Sequence, residues 1–228
     1  MIGIVSAMDS EIALLRGMMT ERREDTLAGV PYYEGKIDGI DVALIRCGVG
    51  KVNAAMHTQA LIDRCAPIAI IHCGVAGALA PTLKVFDVVI GVELRYHDMQ
   101  DFVIEGFGPL EPIYHSDPRL VRLASDANKG VLVGRIASGD IFVAEDGVKR
   151  EIAERTQALC VEMEGTAVAH TAHLNDVPCV VIRTISDGAD TPPEFVFAAF
   201  EKEAARRSAE LVLTMLPRVE GALKEAVK

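Results

Sequence analysis

Ile2-Gly3-Ile4-Val5-Ser6-Ala7-Met8-Asp9-Ser10-Glu11-Ile12-Ala13-Leu14-Leu15 is the stretch from which the architecture is read. Ile2 to Ala7 is a short run rich in β-branched residues, which suits a buried strand. From Ser10 to Leu15 the apolar residues take helical spacing instead, so Ser6 to Ser10 is a strand-to-helix corner. Apolar runs and helical patterns alternate in this way for almost the whole length, the signature of an α/β protein with a largely parallel sheet.

The rest of the chain fills in the pattern. Tyr32 to Ile37 and Ile40 to Arg46 flank Asp38-Gly39, a strong two-residue hairpin signal, so one antiparallel pair interrupts the alternation. Gly48-Val49-Gly50 punctuates, and Lys51 to Ile62 reads as a helix. Ile68 to His72 is an apolar strand ending in the glycine-rich corner Cys73-Gly74-Val75-Ala76-Gly77-Ala78, and Asp87 to Leu94 is another strand. Tyr96 to Asp117 carries Gly106, Gly108, Pro109 and Pro112 with two Phe and no clear period, which predicts a long loop. Val131 to Ala137 is a strand, Glu145 to Arg155 a helix, Leu159 to Glu162 a strand, Gly165 to Leu174 a helix and Cys179 to Ile185 a strand. Glu194 to Met215 is amphipathic and helical, and Pro217 is expected to break or kink it. With no repeat, low-complexity tract or linker, residues 1–228 are expected to form a single domain: a central mixed sheet surrounded by helices. Ligands of open α/β sheets bind beyond the carboxyl ends of the strands.

Composition narrows the function classes. At 228 residues the chain fits one domain of the usual size, about 150 residues being typical. Lys+Arg 23 against Asp+Glu 33 leaves a net charge of −10, a surface that repels polyanions, so nucleic acid is not an expected partner. Half the residues are hydrophobic, yet no apolar stretch approaches the roughly 18 needed to cross a bilayer, so no membrane partner is expected either. The first residues have no basic lead-in before an apolar run and read as the first strand of a cytoplasmic protein. Cys47, Cys65, Cys73, Cys160 and Cys179 are odd in number and without a CxxC pair, which predicts buried thiols in a reducing compartment. His170 and His173 lie one helical turn apart with no acidic or Cys partner at ligand spacing, so no metal is expected.

Three carboxylates stand at the ends of apolar strands: Glu11, Glu164 and Asp187. Each has an ordinary explanation. Glu11 falls in a first helical turn, where the dipole favours negative charge. Asp187 precedes Gly188 and could be a turn residue, and Glu162 and Glu164 could flank a buried Met163 as solvent-facing positions of an edge strand. Together they are harder to dismiss, because a parallel sheet brings successive strand ends to one rim, and paired carboxylates there suit acid/base cleavage of a glycosidic bond.

Whole strings are more specific. Ile4-Val5-Ser6-Ala7-Met8-Asp9-Ser10-Glu11, Cys73-Gly74-Val75-Ala76-Gly77, Ala137-Ser138-Gly139-Asp140-Ile141-Phe142-Val143, Val161-Glu162-Met163-Glu164-Gly165-Thr166-Ala167 and Arg183-Thr184-Ile185-Ser186-Asp187 resemble, in that order, the motifs of the 5′-methylthioadenosine/S-adenosylhomocysteine nucleosidase family, within the nucleoside phosphorylase superfamily. Ser-Gly-Asp and Glu-Met-Glu recur across the superfamily, whereas the opening Ala-Met-x-x-Glu discriminates. Phosphorylases typically carry a basic residue at the first corner, where phosphate binds; here that corner holds Asp9 and Glu11.

The resemblance implies a nucleoside phosphorylase-like fold and a hydrolase without cofactor, acting on a small nucleoside as a homodimer. It implies Asp187 as general acid toward N7 of adenine, oriented by Ser186, and Glu11 as general base for water attacking C1′. Glu164 would accept from the ribose hydroxyls, paired with Arg183, and Met163 would pack on the sugar. Phe142 would stack on adenine, the Val143 backbone would pair with its edge, and Ala76 and Gly77 would permit close approach. Met8, Val49 and Phe197 match positions around the 5′ thioether. The chain departs from the family after Tyr96-His97-Asp98, where Phe102 and Phe107 stand at unfamiliar spacing in the loop that shapes the 5′ pocket. Futalosine or aminodeoxyfutalosine hydrolysis is the near alternative, phosphorolysis and non-catalytic nucleoside binding the remoter ones.

Overall fold

The computed structural model describes residues 1–187 and 193–224, the side chains of 193–199 excepted. In chain order the elements are Ile2–Ser6 (β1), Asp9–Met18 (α1), Thr20–Leu27 (β2), Val30–Ile37 (β3), Ile40–Arg46 (β4), Lys51–Cys65 (α2), Ile70–Ala78 (β5) and Val88–Tyr96 (β6). Then come Asp101–Gly106 (α3), Tyr114–His115 (β7), Pro118–Ala127 (α4), Leu132–Ser138 (β8), Asp146–Thr156 (α5), Cys160–Glu162 (β9), Gly165–Leu174 (α6), Cys179–Asp187 (β10) and Pro193–Lys224 (α7). This is the α/β mixed-sheet architecture read from the alternation.

β1 runs parallel to both β4 and β5, and β5 is also parallel to β10, so the carboxyl ends of β1, β5 and β10 share a rim. The far end of β5 turns to another partner: Gly77 and Ala78 pair antiparallel with Val161 and Cys160 of β9. From β9 the pairing continues through β8 and β6 back to β10. Five strands thus close a ring, while β1, β4, β3 and β2 extend from it as an open sheet. Glu164 therefore reaches the rim by a route other than the expected one. It follows a strand that comes in antiparallel to β5.

Both faces of the sheet are covered, as strands apolar on both sides require. Ile2 and Ile4 of β1 join one core with Ile12 and Leu15 of α1, Leu120 of α4 and Val212 of α7. Val5, one residue out of phase, joins the other with Ala54 and Leu61 of α2 and Val168 of α6. Asp38 and Gly39 both have positive φ, 47° and 80°, the conformation a tight primed turn demands, and β3 pairs with β4 right up to Ile37 and Ile40.

The structure adds two elements to the sequence reading and revises two others. Thr20–Leu27 forms a strand whose charged residues are exposed, a sheet edge that no apolar alternation announces and that charge protects from further pairing. The expected loop from Tyr96 to Asp117 contains α3 and the two-residue β7, which pairs with Glu93 and Leu94; both are too short to show a period. α4 follows, its start marked by Asp117, whose carboxylate accepts from Arg119 N–H, and by Pro118. Finally, α7 continues through Pro217 to Lys224, because buried Leu216 and Val219 pack on both sides of the proline and offset the lost backbone bond. Among the described residues, no helix is long and apolar enough to cross a membrane.

Candidate active site

The rim shared by β1, β5 and β10 surrounds a cavity of about 360 Å³. Met8, Glu11, Val49, Ala76, Gly77, Phe142, Val143, Met163, Glu164, Ser186 and Asp187, all singled out from sequence, line it together with Ala7, Val75, Ile141, Val161 and Glu162. Arg183 lies fully buried outside this lining, and the side chain of Phe197 is outside the described residues. Strand register explains the convergence. Arg183 stands opposite Gly74, Ile185 opposite Ala76 and, after a shift, Asp187 opposite Gly77.

Glu11 is at the third position of α1 and only 2% exposed. Its Oε2 accepts from Ala7 N–H (2.8 Å) and Met8 N–H (2.9 Å), and Oε1 from Val75 N–H (3.0 Å). The carboxylate therefore caps its own helix and faces the cavity at once. Burial raises its pKa, against the pull of Arg183, 3.9 Å away, and of the backbone donors.

Asp187 ends β10 and is also buried. Ser186 Oγ–H donates to its Oδ1 (2.9 Å), and Lys149 Nζ lies 3.9 Å from Oδ2. Burial again raises the pKa, with Ser186 and Lys149 lowering it. A Cβ at position 77 would come within 2.9 Å of Oδ2, so Gly77 is where the backbone passes close against the acid.

The acids around β9 do not follow the ordinary edge-strand explanation. Met163 is half-buried, whereas Glu162 and Glu164 on either side of it are buried. Arg183 does not pair chiefly with Glu164: its Nη2 contacts Glu162 Oε2 and His72 Nε2 directly, and Glu164 Oε2 stands back at 3.5 Å. Glu162 also accepts from the N–H groups of Glu164 (3.0 Å) and Gly165 (2.7 Å) and from Ser138 Oγ. Burial opposes its charge, but the guanidinium and these donors hold the carboxyl well below the usual range. Glu164 accepts from Gly50 N–H at the start of α2 (2.8 Å). Burial and the neighbouring Glu162 charge push it up to about 8. A geometric preference explains the order: one guanidinium cannot serve three carboxylates equally.

Reading the sequence misses Glu162, His72, Gly74 and Lys149. For Glu162 the signal was an acid inside an apolar strand. His72 Nδ1 faces the Val5 carbonyl at 2.8 Å, so Nδ1 donates and Nε2 accepts from Arg183; burial and Arg183 lower its pKa and keep it neutral. His72, Glu162 and Glu164 have a spacing that could hold a metal ion, but the Arg183 guanidinium already touches or adjoins all three and supplies the cation there. Gly74 is crossed so closely by Arg183 Nη1 and Glu11 Oε1 that a Cβ would overlap both. Asp140 of the Ser-Gly-Asp string does not face the cavity: it accepts from Lys51 N–H (2.8 Å), while Asp98 bridges Lys51 Nζ (2.6 Å) and Asp140 N–H (2.9 Å). That strut fixes the segment leading to Phe142, which is half-exposed at the cavity mouth.

Two buried carboxyl groups with raised pKa on one apolar cavity, one held by backbone donors and one by a hydroxyl, can move a proton in each direction. The chain is also similar to known proteins. The profile of the Phosphorylase superfamily matches residues 1–217. A 5′-methylthioadenosine/S-adenosylhomocysteine nucleosidase of Haemophilus influenzae (strain PittGG) is 40% identical over 230 residues, covering 96% of this chain and 99% of the relative. The Neisseria meningitidis 5′-methylthioadenosine/S-adenosylhomocysteine nucleosidase in complex with methylthio-immucillin-A superposes with a TM-score of 0.90 at 36% identity, over 96% of this chain and 99% of that one. Futalosine hydrolase of Helicobacter pylori strain 26695 superposes with a TM-score of 0.89 at 30% identity, over 96% and 97%.

Proposed function

This chain belongs to the Phosphorylase superfamily, and within it we infer a hydrolase that cleaves the N-glycosidic bond of 5′-methylthioadenosine and S-adenosylhomocysteine, releasing adenine and the 5-thioribose product. The observation that carries the inference is Glu11, a buried carboxyl group fixed by three backbone N–H donors at the corner where a phosphorolytic enzyme would need positive charge. A carboxylate there repels phosphate and can take a proton from water.

In the reaction, Asp187 gives its proton to N7, so that adenine leaves C1′ as a neutral base. Glu11 removes a proton from water as the oxygen bonds to C1′, and exchange with solvent resets both groups. Glu164 accepts from the ribose hydroxyls, and a group that titrates near 8 gains charge when those donors arrive. Arg183 acts through Glu162 and Glu164 from below. Met163 covers the sugar, Phe142 stacks on adenine, the Val143 backbone reads its edge, and Ala76 with Gly77 leaves room for it. Met8 and Val49 face the 5′ thioether.

5′-Deoxyadenosine, which differs only at the 5′ position, fits the same chemistry. We place the enzyme in methionine salvage in the cytoplasm, as a homodimer: Phe102 and Phe107 are 63% and 66% exposed and do not line their own cavity, which leaves them available to a second subunit. A second reading, hydrolysis of futalosine or aminodeoxyfutalosine, is favoured by the likeness to the Helicobacter pylori futalosine hydrolase and by the unfamiliar spacing of this loop. Adenine release from methylthioadenosine, adenosylhomocysteine, deoxyadenosine and aminodeoxyfutalosine, each with and without phosphate, tests both. The thionucleosides should turn over fastest and independently of phosphate; a requirement for phosphate would overturn hydrolysis.

A further inference from the structure

Lys149 is the fourth residue of α5, a helix that packs Ile152 against Ala137, Val143 and Val161 beneath the segment carrying Phe142. Its side chain is 5% exposed, with Nζ 3.9 Å from Asp187 Oδ2. An ammonium ion is costly to bury without a charge partner, and here the carboxyl group beside it is the acid of the proposed reaction. We propose that Lys149 is a positioning residue for the acid step: its ammonium holds Asp187 toward the leaving base and stabilises the carboxylate that remains once the proton has moved to N7.

The surroundings of Asp187 support this assignment. From its own strand Ser186 donates to Oδ1, from β5 the Gly77 backbone closes against Oδ2, and from α5 comes Lys149. Among the described residues, the other charged groups lining the cavity are Glu11, Glu162 and Glu164, and the nearby guanidinium of Arg183 faces those three. Among the described residues, Arg183 thus lies beside the glutamates and Lys149 beside the aspartate. Burial alone would make Asp187 hold its proton too firmly, and both Ser186 and Lys149 oppose that. An acid relieved in this way keeps a raised pKa yet releases its proton when the C1′–N9 bond breaks.

The inference rests on Asp187 being the acid, so the test separates the two. Rates of adenine release from methylthioadenosine are measured from about pH 5 to pH 10 on the full chain and on Lys149→Met, Lys149→Arg and Asp187→Asn, a range that spans both limbs of an acid/base profile. Without the cation the Asp187 proton is held to higher pH, so the alkaline limb of kcat should move up. Lys149→Met is expected to lower kcat by roughly 10- to 100-fold and to move that limb by about one pH unit, with KM little changed. Lys149→Arg should restore the limb and most of the rate, and Lys149→Gln offers the same comparison if the Met variant does not fold. An unmoved limb in the neutral variants, with Arg no better than Met, would overturn the role of Lys149. A fully active Asp187→Asn would instead overturn the acid assignment on which it depends.

Discussion

The floor of the cavity and its walls are buried to nearly the same degree, yet they treat a carboxyl group in opposite ways. On the floor, Glu162 is 6% exposed and lies in direct contact with a guanidinium, a hydroxyl and two backbone N–H groups, so burial loses and the carboxylate is held ionised well below the usual range. On the walls, Glu11 and Asp187 are 2% and 3% exposed, each has a cation no nearer than 3.9 Å, and burial wins. Glu164 lies between, 3.5 Å from Arg183 and repelled by Glu162. The contrast teaches that burial does not by itself create a proton donor. What matters is which carboxylate the nearest guanidinium touches, because direct contact locks the ionised form and a gap of a few ångströms leaves it exchangeable.

The contrast breaks most sharply when the walls lose their protons. Asp187→Asn and Glu11→Gln should each lower kcat for methylthioadenosine by about 10²- to 10⁴-fold while the protein stays folded, as stopped-time assays of adenine release with circular dichroism would show. Disturbing the floor should act on stability instead. Glu162→Ala leaves Arg183 buried with weaker compensation and is expected to cost about 3–5 kcal/mol in urea unfolding. Gly74→Ala strikes both regions together, since its Cβ would overlap Arg183 and Glu11; a loss of about 1–3 kcal/mol, together with reduced kcat, is expected.

The smallest effect concerns pH. Glu164 is raised in the fold from 4.5 to about 8, so the folded state holds its proton where the unfolded chain has lost it. Its contribution to stability is full below 4.5 and is lost as pH rises toward about 8. Glu162, lowered in the fold, has the opposite sense: its contribution is present above the ordinary glutamate range and lost as pH falls. Glu164→Gln should therefore flatten the decline of Tm between pH 5 and pH 8, a range taken from about half a unit above an ordinary glutamate to the raised value. An unchanged slope in a thermal-shift series would place the titration elsewhere.

Much of the fold was legible because local pattern and final burial agree. The strand-to-helix corner at Ser6 to Ser10, the hairpin at Asp38-Gly39 and the helix Gly165–Leu174 all follow from short-range spacing. β2 was not legible, because an edge strand of exposed charge buries neither face, and β7 is too short to have a period. Pro217 does not end the helix for the converse reason: burial of Leu216 and Val219 carries the helix past a residue that locally disfavours it.

The site divides along the same physical line. Chain order alone marks acids at the ends of apolar runs and small residues at the corners, since strand periodicity and backbone crowding act over a few residues. It does not say which acid Arg183 will touch, because His72, Glu162 and Arg183 are 111 and 21 positions apart and meet only when β9 and β10 take up opposite sides of β5. Nor does it bring Lys149 from α5 to Asp187. A carboxylate held ionised and an exchangeable proton are set by distances of a few ångströms in a medium from which water has been removed, and those distances exist only once the strand ring has closed.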